Sequence, residues 1–317
     1  MLRYLPLALL LACLDASASS PRPLRVVATT SIVGDIVRAV GGEDIQLTTL
    51  LGPGMDPHTF EPAPRDAAEI ARANLLFLNG GGLETFMDPL LTANRQTSVI
   101  VVDLCEGLPL VHREEEHEHG ETEAAEPEAE HHHHHDHGAL DPHVWFDPML
   151  VARWTEAIAH HLGDRDPERA SLYQERAAAY RAELETLDRW IKAEADSIPA
   201  GQRRFVTDHN EFGYFADRYG FAITGALLPN VSTATETSAK ELAALESSIR
   251  TSGTRVLIVG NSVNPSLAQR VARDTGLTVV TLYTGALSKS GEPAATYLTF
   301  MRYNVEALFQ ALKKTAP

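Results

Sequence analysis

Apolar positions along the chain follow two alternating patterns, one typical of buried strands and the other of amphipathic helices. From Leu24 to Thr29 the run is short, apolar and rich in β-branched residues. An amphipathic segment then runs from Ser31 through Val40 and stops at Gly41-Gly42. This order predicts a strand, a helix N-cap at Ser31 and a helix that ends at glycine.

The same unit recurs in both halves of the chain. The further predicted strands are 45–51, 75–78, 98–102, 204–207, 222–228, 256–259 and 278–282, and the further short helices are 64–73, 83–91, 148–162, 211–219, 238–251, 265–275 and 294–312. Strands that alternate with helices favour parallel sheets covered by helices. We therefore expect an α/β protein with two similar lobes.

A longer helical pattern separates the two halves. Between Asp166 and Ile198 the apolar residues recur at steps of four and three, which buries one stripe along the helix. Such a helix would extend about 45–50 Å, enough to cross two domains. We expect an N-terminal lobe at 24–162, a rigid connecting helix at 163–200 and a C-terminal lobe at 201–317.

The N-terminus has the features of an export signal, which we place at residues 1–18. Arg3 precedes an apolar run from Tyr4 to Cys13 that is too short to span a bilayer, and Ala16-Ser17-Ala18 offers a small-residue cleavage site. Leu10-Leu11-Ala12-Cys13 also resembles a bacterial lipobox, so the alternative is a protein lipid-anchored through Cys13. Both interpretations place the mature protein outside the cytoplasm, in the periplasm or on the cell surface. Cys105 is the only other cysteine, so we expect no internal disulfide.

Charge and histidine are concentrated in one segment of the first half. From His112 to His137 there are nine histidines and ten acidic residues against one arginine, which is −9 of the formal net charge of −16. Between Val111 and Leu140 there is no large apolar residue to bury, so the segment 112–140 is expected to be a disordered loop. No basic patch exists to pair with phosphates, which argues against nucleic-acid binding.

Three histidines stand at positions suited to a metal ligand. His58 and His143 each follow an Asp-Pro step, in Asp56-Pro57-His58 and Asp141-Pro142-His143, where proline restricts the backbone before the histidine. His58 and His209 are each predicted to follow a strand, at the carboxyl end where open α/β sheets bind ligands. Other polar residues nearby could orient the imidazoles through their second nitrogen. The acidic candidates for this role are Glu61, Asp141, Asp208 and Glu211.

Four stretches together resemble the substrate-binding proteins of bacterial zinc and manganese ABC transporters. They are 52–62 (GPGMDPHTFEP), 141–145 (DPHVW), 205–215 (FVTDHNEFGYF) and 296–304, which contains Thr296-Tyr297 and Met301-Arg302-Tyr303-Asn304. The resemblance implies two α/β lobes joined by one long helix, a metal ion in the cleft between them and delivery of that ion to a membrane permease.

The resemblance also implies the ligands and the ion. The family's ligand positions map onto His58, His143 and His209, and a histidine at the third position is typical of the zinc-binding branch. We therefore expect Zn²⁺ as the transported ligand, with a zinc permease and a periplasmic zinc chaperone as candidate partners, and a monomer without enzymatic activity.

One departure from the family pattern leaves the fourth ligand open. Many relatives have a carboxylate where this chain has Gly285, and an acidic residue where it has Gly260. Water, hydroxide or a nearby acid such as Asp208 or Glu211 would then complete the site. A Gly285→Asp substitution is expected to close the coordination shell, unless glycine is required there for its backbone conformation.

Two other functions remain as alternatives at this point. Three imidazoles with an open fourth position also build a catalytic zinc site, as in a hydrolase. However, the chain has no His-Glu-x-x-His helix, nucleophile elbow or Gly-rich phosphate loop. A surface lipoprotein that buffers zinc or acts as an adhesin is the other alternative.

Overall fold

The computed structural model describes residues 23–93, 98–111, 140–234 and 236–315. The segment 1–18 and most of the His- and Glu-rich segment 112–140 lie outside these residues. Within the described chain, no helix is both long enough and apolar enough to cross a membrane.

Each half of the chain forms one four-stranded parallel sheet. In the first lobe the strands are β1 (Leu24–Ala28), β2 (Ile45–Thr49), β3 (Leu75–Leu78) and β4 (Ile100–Asp103), in the order β2-β1-β3-β4. In the second lobe β5 (Arg204–His209), β6 (Ala222–Leu228), β7 (Val256–Gly260) and β8 (Thr278–Leu282) follow the order β6-β5-β7-β8. The two sheets share one topology, which confirms the predicted fold class.

Helices connect and cover these strands. They are α1 (Ser31–Gly41), α2 (Pro64–Arg72), α3 (Met87–Ala93), α4 (Pro148–Arg165), α5 (Ala170–Asp196), α6 (Gly213–Tyr219), α7 (Ala239–Ser252), α8 (Ser266–Thr275) and α9 (Tyr297–Lys314). Apolar side chains of β3 and α2 form a core on one face of the first sheet, and those of β7, α7 and α8 form one on a face of the second. A third core includes α1, α4, α5 and α9 and is shared by both lobes.

The connecting helix α5 is shorter than its periodicity predicts. Its 27 residues begin at Ala170, because Pro167–Arg169 forms a separate 3₁₀ turn. Asp166 stabilises this break, since its carboxylate accepts hydrogen bonds from Arg169 and Tyr173. At roughly 1.5 Å per residue α5 is still about 40 Å long, and it contacts α1 of the first lobe and α9 of the second.

Two hydroxyl groups at the start of α1 have roles that differ from the prediction. Thr30, rather than Ser31, caps the helix by accepting a hydrogen bond from the Val33 amide at 3.2 Å. The Ser31 hydroxyl instead accepts one from the Leu287 amide of the second lobe at 3.0 Å. The residue expected to be a cap therefore holds the two lobes together.

Candidate metal centre

The three predicted histidines meet in the cleft between the lobes. Their ring centroids form a nearly equilateral triangle, with sides of 5.4, 5.4 and 5.2 Å among His58, His143 and His209. The Nε2 atoms of His58 and His143 lie 3.3 Å apart. His58 comes from the loop after β2, His143 from the turn before α4, and His209 is the last residue of β5 rather than the residue following it.

The two Asp-Pro-His stretches fold into the same local turn. In each, the aspartate carboxylate accepts a hydrogen bond from the histidine amide two residues later, at 2.9 Å for Asp56 and His58 and 3.0 Å for Asp141 and His143. The intervening proline limits φ, so the histidine leaves a backbone that has little freedom. This repeated turn places one imidazole on each side of the same pocket.

Carboxylates also fix the orientation of two of the imidazoles. Nδ1 of His143 lies 2.8 Å from Asp141 Oδ1, and Nδ1 of His209 lies 2.8 Å from Asp208 Oδ1. An ionised carboxylate only accepts hydrogen bonds, so each Nδ1 carries the proton and each Nε2 presents a lone pair to the cleft. Both aspartates thus occupy the orienting position that the sequence suggested.

Two of the three histidines, His58 and His143, are held neutral before any ion arrives. Burial, followed by the neighbouring imidazoles of His143 and His209, lowers the pKa of His58 to about 2. Burial also lowers the pKa of His143, although its hydrogen bond with Asp141 acts in the opposite direction. A neutral imidazole is the form that binds a metal ion, so these groups need not lose a proton at neutral pH.

Glu211 places a carboxylate in the same pocket. The residue is fully buried, and its Oε2 lies 3.5 Å from Nε2 of His209. Burial, followed by the charge of Asp208, raises the pKa of Glu211 well above its usual range. Seven buried side-chain polar atoms of the described chain lack a hydrogen-bond partner, and three of them are His209 Nε2 and the two Glu211 oxygens.

The pocket is therefore built for a cation. Its described lining contains Asp56 and Glu211 beside the three imidazoles, with no lysine or arginine among them. Three imidazole nitrogens and a nearby carboxylate are donors for a divalent transition metal. Two groups of three described residues, which share His209, have ligand atoms close enough to hold such an ion: His58, His143 and His209, and Asp208, His209 and Glu211.

Gly285 and Gly260, where the resemblance leads one to expect acidic residues, both lie at close approaches. A Cβ atom on Gly285 would lie 2.9 Å from Cδ of Pro57 in the other lobe, and one on Gly260 would lie 2.5 Å from Oγ1 of Thr284. Gly285 does not have a positive φ, so its backbone conformation alone does not require glycine. In this closed arrangement, Pro57 occupies the space that a side chain at position 285 would need.

Contacts between the lobes surround the pocket, and most were not foreseen from the sequence. Oγ1 of Thr233 donates to Asp56 Oδ2 at 2.7 Å, and Nε1 of Trp145 donates to the carbonyl of Thr284 at 2.9 Å. Trp145 also packs beside the ligand turn, with its ring 5.1 Å from that of His143. No local signal marks Thr233, because its partner lies 177 residues earlier in the chain.

Two α/β lobes, joined by a long helix and enclosing a buried cluster of imidazoles, define the class of periplasmic solute-binding proteins that bind metal ions. The chain belongs to the family described as zinc-uptake complex component A, periplasmic, whose model matches residues 26–311. It is accordingly a metal-binding substrate-binding protein of an ABC transporter, works with a membrane permease, and is not an enzyme.

Individual relatives bear out the family but differ in the metal that they are named for. The chain is 28% identical to the manganese-binding lipoprotein MntA of Halalkalibacterium halodurans over 293 residues, covering 92% of this chain and 89% of that one. It is 28% identical to the manganese ABC transporter substrate-binding lipoprotein PsaA of Streptococcus pneumoniae over 313 residues, covering 96% and 94%. The iron ABC transporter substrate-binding lipoprotein MtsA of Streptococcus pyogenes is 26% identical over 319 residues, covering 98% and 96%.

A solved structure shows the same fold. The periplasmic zinc-binding protein TroA from Treponema pallidum superposes with a TM-score of 0.78 at 28% identity, covering 92% of this chain and 99% of that one. The expected location outside the cytoplasm agrees with these relatives, several of which are named as lipoproteins.

Proposed function

We propose that the protein captures Zn²⁺ outside the cytoplasm and delivers it to its permease, with His58, His143 and His209 as ligands. The observation that supports this most directly is the convergence of three imidazoles in a buried pocket that has no positively charged side chain among its described lining residues. Residues 24–162 and 201–317 act as the two lobes in this proposal, and residues 163–200 act as the connector.

The donor set favours zinc over manganese. Imidazole nitrogen suits Zn²⁺, whereas Mn²⁺ prefers sites rich in carboxylate, carbonyl and water oxygens. Two donor atoms bound about 2.0–2.1 Å from a tetrahedral zinc ion lie about 3.3–3.4 Å apart, and the Nε2 atoms of His58 and His143 are separated by 3.3 Å. The names of the relatives make manganese the rival that an experiment must exclude.

The division of ligands between the lobes suits a delivery protein. His58 and His143 belong to the first lobe and His209 to the second, so closure of the cleft assembles the site and opening takes it apart. A permease that separates the lobes would therefore release the ion without having to displace each ligand separately.

The proposal is tested by metal analysis of protein purified without chelators, followed by competition between Zn²⁺ and Mn²⁺. We expect one tightly bound zinc per chain, not displaced by equimolar manganese, and a strong loss of affinity in each of His58→Ala, His143→Ala and His209→Ala. His160→Ala is the matched control, because His160 is exposed and pairs with Asp164 on the surface of α4. Preferential retention of manganese would overturn the choice of ion, and three variants with wild-type affinity would overturn the choice of ligands.

A further inference from the structure

A tight turn directs the side chain of Glu211 back toward His209. The Glu211 amide donates to the carbonyl of His209 at 2.9 Å, directly after β5 ends. Asn210, which lies between them, makes two hydrogen bonds to the loop after β6. Its backbone amide donates to the carbonyl of Asn230 at 2.9 Å, and its side-chain amide donates to the carbonyl of Pro229 at 2.7 Å. The position of Glu211 beside the pocket is therefore fixed by the backbone.

The carboxylate lies where one more donor of the same ion would lie. Its Oε2 is 3.5 Å from Nε2 of His209, close to the separation of about 3.3–3.4 Å between two donors of a tetrahedral zinc ion. Neither of its oxygens makes a hydrogen bond of good geometry, although the residue is fully buried. An ion bound there would give these buried oxygens a strong partner.

The position from which the family's carboxylate would come is closed in this chain. Gly285 carries no side chain, and the ring of Pro57 lies 2.9 Å from the point where a Cβ would be built. Any protein carboxylate that completes the site must therefore come from another element.

We propose that Glu211 is the fourth protein ligand of the metal ion, in place of a residue at position 285. This inference rests on the proposed function and extends it. The shell then has two ligands from the first lobe, His58 and His143, and two from the second, His209 and Glu211. Separation of the lobes would divide the coordination shell evenly, and a carboxylate would offset part of the charge of the ion.

Water is the competing fourth ligand, and it can be distinguished without any substitution. Co²⁺ is loaded into the wild-type protein, and its visible absorption is followed during addition of azide. A metal-bound water exchanges with azide and shifts the spectrum, whereas a shell closed by Glu211 leaves the spectrum unchanged. In Glu211→Ala, which opens the position, we expect azide to shift the spectrum.

Affinity and stability provide the second measurement. Glu211→Gln keeps the shape of the side chain but removes its charge, and we expect zinc affinity to fall at least about tenfold, the lower end of what changes around a metal site cost. The melting temperature of the metal-free variant should stay level, because glutamine replaces the acid with a group of the same shape. A merely structural role would lower that melting temperature. Glu185→Gln is the control, because Glu185 lies on the surface of α5 paired with Arg181.

The possible results separate the two proposals. A wild-type protein that binds no zinc contradicts the proposed function itself. A wild-type protein that binds one zinc tightly, while its cobalt spectrum responds to azide or Glu211→Gln keeps full affinity, overturns only the role of Glu211.

Discussion

At the scale of single residues, Asp208 connects a candidate ligand to the sheet of the second lobe. Its Oδ1 accepts hydrogen bonds from the amide and Nδ1 of His209, at 2.7 and 2.8 Å, and its Oδ2 accepts one from the Gly260 amide at 2.6 Å. Burial opposes the charged form, yet the hydrogen bonds from His209 and the Gly260 amide give Asp208 a pKa below its usual value. Asp208 is therefore ionised and fixes which nitrogen of His209 faces the ion.

We expect Asp208→Asn to weaken zinc binding by about 10- to 100-fold, as other changes in partners of metal-binding histidines do. The asparagine amide can take two orientations. If its nitrogen faces His209, it favours the tautomer with the proton on Nε2; if its nitrogen faces Gly260, two N–H donors point at each other. Competition with a chromophoric chelator measures the change. Asp164→Asn serves as the control, since Asp164 is exposed and only pairs with His160. Equal affinities for the two variants would show that Asp208 does not orient His209.

Sequence motifs locate the three histidines and their orienting aspartates because each of these aspartates precedes its histidine by only one or two residues. The distance between Glu211 and His209, by contrast, depends on how the loop after β5 turns, and spacing alone leaves Asp208 and Glu211 equivalent. The effect of Gly285→Asp can also be predicted from the sequence only in part. The nearby Pro57 belongs to the other lobe, so only the closed structure shows that a side chain there must displace it.

At the scale of elements, the loop after β2 links one candidate ligand to the opposite lobe. Asp56 holds the His58 amide with one carboxylate oxygen and the Thr233 hydroxyl with the other, at 2.9 and 2.7 Å. Thr233 lies in the loop between β6 and α7 of the second lobe. The Asp56 carboxylate therefore couples the position of His58 to the contact between the two lobes.

We expect Thr233→Val to speed zinc release while leaving the metal-free protein unchanged in stability. A net hydrogen bond is worth about 1 kcal/mol, which corresponds to roughly a fivefold increase in the off-rate if the bond exists only when the cleft is closed. Stopped-flow release into excess chelator gives the rate. Thr251→Val is the control, because the Thr251 hydroxyl bonds only to carbonyls of its own helix α7. An unchanged off-rate would mean that Asp56 and Thr233 do not hold the cleft closed.

Strand and helix positions are the part of the fold that sequence predicts best. The bounds of β3, β6 and β8 match the predicted ones, since each is a short run rich in aliphatic residues between turn residues. Errors occur at ends where a tertiary contact decides the boundary. The start of α5 is shifted by Asp166, and β5 extends to His209, which pairs with Leu228 of β6.

At the scale of the whole molecule, the ends of the His- and Glu-rich segment are joined beside the cleft. The Asp141 amide donates to the carbonyl of Val111 at 3.0 Å. The Tyr214 hydroxyl accepts from the Val111 amide at 3.2 Å and donates to the Asp141 carbonyl at 2.9 Å. Val111 and Asp141 thus lie side by side in the described structure, two residues before His143, so a short linker could join these two points.

We expect replacement of residues 113–138 by a short Gly/Ser linker to leave one tightly bound zinc per chain and to abolish the weaker additional equivalents. The segment's imidazoles can bind zinc weakly, and its charge of −9 raises the local concentration of cations, an effect that added salt should reduce. Calorimetric titration at two salt concentrations measures both classes of site. Replacing the nine histidines by asparagine keeps the charge and removes the imidazoles, so it separates the two contributions. Loss of the tight site in the linker variant would show that the segment forms part of that site rather than feeding it.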